Sequence, residues 1–334
     1  MPNNSFTDFI HNPHDQATVT AETVEGFQTG EVGRFDLRNV IPAFASNDIT
    51  TWGSQLIIIQ AYTGHGKSII ADIILKYMAE QCQKNECVVK VSYENTLQED
   101  GVKRVAAQLG VPANNVLEGK LNDMQLAEVN TVAMQIAKTP LWWVGPDENT
   151  SRHFRLPKIS ELMVMLRRLV EEQHIYPRMI VIDHFHEIPI ERHTNSDVSS
   201  LGGNVKMLTA LSFAFPNCPL VVLAQSNRDS QKEKKFKLPY LDGLKGTSDL
   251  ESAARFVLSL WIPARSEGYK AGIDDIKIGK DYYLVTDDLM VMGVMKQKYA
   301  AYPVLAATKI DWENYEVKTP YPMVDIENSG INHD

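Results

Sequence analysis

Eight residues constrain this chain more than any other stretch: Ala61-Tyr62-Thr63-Gly64-His65-Gly66-Lys67-Ser68. They follow a β-branched run, Leu56–Gln60, and open Ser68–Gln81, where Ile69, Ile70, Ile73, Ile74, Tyr77 and Met78 recur at helical spacing. A strand, a glycine-bearing bend and a helix in immediate succession form a cradle for a polyphosphate. Gly64 and Gly66 can take backbone angles that aim successive N–H groups at one anion, and the helix N-terminus adds partial positive charge. Ala61 through Ile69 are therefore the candidate nucleotide-binding residues. In this geometry Lys67 reaches the β- and γ-phosphates of ATP, and the Ser68 hydroxyl is a ligand for Mg²⁺. Alanine replaces the usual first glycine, which the bend accepts if Ala61 is not left-handed.

The rest of the chain repeats this alternation. Val88–Val91, Leu141–Val144, Met179–Ile182 and Leu220–Ala224 are short apolar runs of strand type. Gly101–Leu109, Asp123–Lys138, Ile159–Glu172 and Val205–Phe215 read as helices. Continuous apolar strands between helices predict an α/β fold with a central, mostly parallel sheet covered on both faces. Ala254–Ile262, Tyr282–Val285, Met290–Lys296 and Leu305–Asp311 are further strand-type runs, of more antiparallel character, at the C-terminal side. Residues 1–35 are polar without sustained periodicity and read as an arm, 36–312 as the core, and 313–334 as a polar tail.

Composition narrows the setting. With 334 residues, 44% hydrophobic and 22% charged, the chain has the make-up of a soluble globular protein that needs no disulfide to hold a core. Cys82, Cys87 and Cys218 show no CxxC spacing and lie in or beside apolar runs, as buried thiols of a reducing cytosol do. No secretory leader is evident and no apolar run approaches a membrane span, so a cytoplasmic location without membrane contact is expected. The net charge of −9 excludes a surface that is basic throughout, and any contact with nucleic acid must be local.

Hydrolysis requires more than a cradle. Met179-Ile180-Val181-Ile182 ends in Asp183, a carboxylate placed to orient Mg²⁺ from a strand tip. Glu94 closes the run Val91-Ser92-Tyr93-Glu94 and is the candidate for activating water, and Gln225 closes Leu220–Ala224, where its amide can sense the γ-phosphate. C-terminal strand ends converge on one crevice in a parallel sheet. His184, His186 and Glu187 invite a transition-metal reading, but no further ligand follows at a supporting spacing.

Taken in order, Ala61–Ser68, Ser92-Tyr93-Glu94, Ile180–Asp183, Ala224-Gln225-Ser226-Asn227-Arg228, Leu238-Pro239, Gly243–Glu251 and Lys296-Gln297-Lys298 resemble the ATPase domain of DnaB-type replicative helicases. The resemblance runs over residues 45 to 310. It implies a RecA-like P-loop NTPase fold and a hexameric motor that hydrolyses ATP with Mg²⁺. It also implies roles: Lys67 and Ser68 for phosphate and magnesium, Asp183 for the magnesium-bound water, Glu94 for the attacking water, and Gln225 for coupling to DNA loops. In such rings the nucleotide lies between subunits, and Lys296 and Lys298 occupy the place of the neighbour's basic residues. The family usually has arginine at Lys298; arginine offers a planar fork, lysine a point charge. Single-stranded DNA is the implied partner, with primase or other replisome proteins beside it.

Ser230–Lys237 is a basic loop after the Gln225 strand. Arg228, Lys232, Lys234, Lys235, Lys237 and Lys245 are the candidate contacts to DNA phosphates, without base reading. Glu191–Gly203, polar and ending in Gly202-Gly203, is a second candidate loop. Three functions fit these features: a ring-forming single-stranded DNA translocase in replication, a RecA-like recombination or annealing ATPase, and a nucleotide-switched assembly or helicase-loading factor.

Overall fold

The computed structural model describes residues 13–29, 34–148, 155–192, 197–227, 236–243, 248–312 and 314–323. The chain divides into two compact units, Met1–Phe35 and Asp36–Asp334. In the first, Pro13–Thr29 form helix α1. Polar composition conceals this helix, although Pro13 at its first position suits a helix start, where no N–H is required.

In the second unit the cradle lies between strand β1 (Leu56–Ala61) and helix α2 (Lys67–Glu80). Then come β2 (Glu86–Ser92), α3 (Leu97–Leu109), α4 (Ala113–Leu117), α5 (Asp123–Ile136) and β3 (Leu141–Val144). The chain continues through α6 (Ile159–Gln173), β4 (Tyr176–Asp183), α7 (Asp197–Ala214), β5 (Leu220–Gln225), α8 (Ser248–Ala253) and β6 (Phe256–Trp261). It ends in strands β7 (Asp275–Ile278), β8 (Asp281–Leu284), β9 (Leu289–Lys296), β10 (Val304–Asp311) and β11 (Glu316–Lys318).

Nine strands form one sheet in the order β11-β10-β9-β6-β1-β5-β4-β2-β3, and β7 with β8 form a separate pair. Neighbours from β3 to β6 run parallel, whereas β9, β10 and β11 join antiparallel. Every residue of β1 is buried, which marks a central strand covered on both faces. On one face Leu162 and Leu166 of α6 and Leu208 and Leu211 of α7 share a core with Val89, Ile180 and Val222 of the strands. The expected architecture, with its antiparallel C-terminal strands, is the observed one.

Local departures have local causes. Helix α3 starts at Leu97, ahead of the apolar spacing, because Thr96 and Glu99 cap it reciprocally. Helix α7 starts at Asp197, so Gly202 and Gly203 lie in a helix and not in the flexible loop that their composition suggested. At Gly202 a Cβ would stand 2.8 Å from Asp249 Oδ2 of α8, so the glycine admits a close helix approach. Strand β11 falls in the expected tail, where Val317 pairs with Ile310.

Strand register then decides which side chains meet. Ser92 of β2 stands level with Asp183 of β4, and Ala61 of β1 with Gln225 of β5. Four strands thus bring their C-terminal tips to one edge.

Candidate active site

At that edge the chain turns sharply after β1. Gly64 and Gly66 have φ of 80° and 84°, and Gly66 is the residue that caps α2. A Cβ on Gly66 would also lie 2.7 Å from Met290 Cε and 3.5 Å from Trp312 Cη2. Ala61 is not left-handed; it is fully buried, and its carbonyl accepts from the Ser226 N–H at 3.0 Å. Alanine therefore fits where glycine is usual.

The bend separates into two layers. Thr63, Gly64, Gly66, Lys67, Ser68 and Ile69 line a cavity of about 420 Å³. Ala61, Tyr62 and His65 are buried behind it. The His65 Nδ1 accepts from the Ile262 N–H at 3.0 Å, and its ring meets Tyr62 edge to face at 5.4 Å. His65 thereby braces the bend against the end of β6.

The facing wall carries the acids. The Ser68 hydroxyl donates to Asp183 Oδ2 at 2.8 Å. These two hard oxygens are the donor set that Mg²⁺ takes alongside phosphate and water. Lys67 Nζ lies 3.5 Å from the Ala61 carbonyl, inside the bend. Burial lowers its pKa, against the opposing pull of Asp183 and Glu94. A desolvated ammonium with no full counter-ion is ready for an anionic ligand.

Glu94 also lines the cavity, with a largely exposed carboxylate 3.6 Å from His184 Nε2. The histidine that invited a metal reading faces the candidate water-activating acid. Gln225 Nε2 donates to the Thr63 hydroxyl, tying the tip of β5 to the bend. Asp183, Glu94, Gln225, Lys67 and Ser68 thus border one cavity.

Residues 46–296 match the DnaB-like helicase C terminal domain. The chain belongs to this family. Among solved structures, one helicase ATPase domain superposes with a TM-score of 0.71 at 13% identity, covering 93% of this chain and 100% of that one. A DnaB-like replicative helicase, solved in a study of its interactions with primase, gives a TM-score of 0.63 at 12% identity over 80% of this chain. This chain spans 58% of the length of that helicase chain. At such identities these likenesses speak for the fold. No curated protein matches the sequence.

Two site residues of this DnaB-like domain escaped the motif reading. The Arg265 guanidinium donates to the Gly64 carbonyl and sits 4.8 Å over the Trp312 ring. Both side chains line the cavity. Arg265 follows β6, which pairs with β1, and Trp312 follows β10. Nothing in their spacing from Lys67 marks them; only the sheet order brings them to the bend.

Lys296 and Lys298 are elsewhere. Val257 of β6 pairs with both Ile58 of β1 and Lys296 of β9, and β9 runs antiparallel to β6. Lys296 therefore stands at the N-terminal part of β1, roughly 10 Å of strand below Ala61 at about 3.3 Å per residue. Its ammonium donates to the Glu251 and Ser252 carbonyls at 2.7 and 3.3 Å, at the C-terminal end of α8. Burial lowers its pKa. Between the two lysines Gln297 is buried, bonded to Asp48, Thr50 and Ala301, while Lys298 projects over the exposed Tyr299 ring at 4.9 Å.

Of the candidate DNA contacts, Arg228, Lys232, Lys234, Lys235 and Lys245 lie outside the described residues. Lys237 is half-buried beside Phe236, whose ring packs edge to face on Trp261 at 5.2 Å. Among the described residues no three His, Cys, Asp or Glu side chains converge as a further metal site, and no helix is long and apolar enough to cross a membrane.

Proposed function

We propose that this chain is an ATP-driven translocase on single-stranded DNA that works as a ring in replication. The observation that carries the proposal is the 2.8 Å contact between Ser68 and Asp183 beside a desolvated Lys67, in a cavity bordered by Glu94. Membership of the DnaB-like family supports a replicative helicase-type ATPase.

In this reading Lys67 and the N–H groups of the bend hold the β- and γ-phosphates of ATP. Ser68 and Asp183 would hold Mg²⁺, which when bound supplies charge neutralisation across the β- and γ-oxygens. Glu94 accepts the proton of the attacking water, and the His184 ring beside it fixes the carboxylate's direction. Gln225, joined to Thr63, registers loss of the γ-phosphate and passes it to the loop that follows β5. Arg265 and Trp312 offer a cation and an aromatic face to the nucleobase.

Lys296 and Lys298 point away from their own cavity, so they can serve only a neighbour's. That placement supports a ring in which one subunit supplies the cradle and the next a cation. The basic segment after β5, Lys237 included, would hold DNA phosphates without reading sequence. Primase or other replisome proteins would be the wider partners.

The test is ATP turnover with and without single-stranded DNA, together with strand displacement on a forked duplex. DNA-stimulated turnover with displacement is expected. Filaments that pair strands without displacement would favour a recombination ATPase. Slow, DNA-independent turnover would favour a loading factor.

A further inference from the structure

Behind the cradle lies an ionic cluster that the proposed chemistry leaves unused. Lys90, in the middle of β2, is 4% exposed. Its ammonium bonds Asp72 Oδ1 of α2 at 2.6 Å and Asp100 of α3. Arg104, one turn along α3, faces Asp100 Oδ2 at 3.0 Å. Burial alone would depress the pKa of Lys90, but the two carboxylates outweigh it and hold the ammonium above the ordinary lysine range. The group is therefore charged at any physiological pH.

Such a cluster is a poor device for stability. Removing buried charges from water costs about what their attraction returns, and apolar replacements are often neutral or better. Ordinary packing would have closed this space, since Val88 on the same strand is fully buried among apolar neighbours. What the ions add is directional attachment at defined points.

Those points are informative. Asp72 lies four residues after Ser68, hence one helical turn behind it on the same face of α2. Lys90 lies four residues before Glu94 on the segment that carries the acid to the cavity. Asp100 belongs to the first turn of α3, directly after that segment, and Lys103 of the same helix donates to Asn95 Oδ1 at 3.0 Å. Asp72 and Lys90 form part of the nucleotide cavity wall. On its other side, Asp72, Asp100 and Arg104 line a second cavity of about 320 Å³.

We infer that Lys90, Asp72 and Asp100 are positioning residues that set the distance between Ser68 and Glu94. They clamp the helix bearing the magnesium ligand to the strand bearing the water-activating acid, and they act on hydrolysis through Glu94. This rests on the reading of Glu94 given above.

The test is a cycle of variants. Lys90→Met, Asp72→Asn and Asp100→Asn together remove the ions with little change in volume. The triple variant is expected to lower kcat tenfold or more with KM for ATP within twofold of the unaltered chain. In a Glu94→Gln background the same three changes should lower kcat less than twofold further, because the group they position is already gone. Equal fractional losses in both backgrounds would mean a general structural role and overturn the inference, as would a folded triple variant with kcat within twofold of the parent. Should the triple variant fail to fold, Asp72→Asn alone, at a partly exposed side chain, is judged by the same two criteria. An unaltered chain with no turnover would remove the hydrolytic reading itself, and this inference with it.

Discussion

The two ends of the central strands are built on different terms. At the C-terminal tips, side chains from the bend and from β2, β4 and β5 border one cavity, and each is held by partners of the same chain: Ser68 by Asp183, Gln225 by Thr63, Glu94 by His184. At the far end, Lys296 is occupied with the carbonyls of α8 and Lys298 rests on an exposed tyrosine, and neither borders that cavity. In the proposed reading one end is a site that awaits a neighbour's cation, and the other a cation that awaits a neighbour's site. The contrast teaches that half of the proposed chemistry is intramolecular, and that the remainder depends on a second copy arriving in register.

The largest effect would break or confirm that division. Lys298→Ala is expected to lower ATP turnover by about 10³–10⁵, the usual worth of a neighbour's cation in phosphoryl transfer. Turnover should return when the variant is mixed with Lys67→Ala chains, since each then supplies what the other lacks. A mixture as slow as its two components would sink the shared site.

Glu94→Gln probes the intramolecular half. A general base is worth about 10²–10⁴ in rate, so kcat should fall in that range while the nucleotide Kd stays within twofold. An unchanged kcat would assign the water to another group. Trp312→Ala asks whether the cavity reads a base as well as a phosphate chain. Loss of a stacking face should weaken ATP binding by about 1–3 kcal/mol and leave inorganic tripolyphosphate binding unchanged. Equal weakening of both ligands would make Trp312 a prop for the bend and not a base contact.

The smallest effect lies away from both ends. Gly202→Ala pushes a methyl group towards Asp249 and should destabilise the fold by about 1–3 kcal/mol in urea titration, with nucleotide affinity unaffected. If stability is retained, α7 and α8 tolerate separation, and the glycine is there for another reason.

Much of this was legible in one dimension. The strand, bend and helix at Leu56–Gln81 are local: apolar periodicity, two glycines and a Lys-Ser pair dictate them without help from the rest of the chain. The acids at strand tips were readable too, because a parallel sheet leaves its chemistry at the C-terminal ends of runs such as Met179–Ile182. Helix α1, strand β11 and the true start of α7 were not. Their sequences are polar, short or glycine-bearing, and pairing or capping outweighs propensity there.

What the sequence determined by itself was therefore the phosphate cradle, the alternation of elements and the identity of Lys67, Ser68, Asp183, Glu94 and Gln225 as groups bound for one edge. Only the tertiary structure decided that His184 faces Glu94, that Arg265 and Trp312 close the cavity, and that Lys90 is held between two acids. The physical reason is range. A bend or a helix is encoded by residues a few positions apart, whereas Arg265 meets Gly64 only because β6 lies beside β1 in the sheet, and strand order leaves no mark on the residues that it brings together.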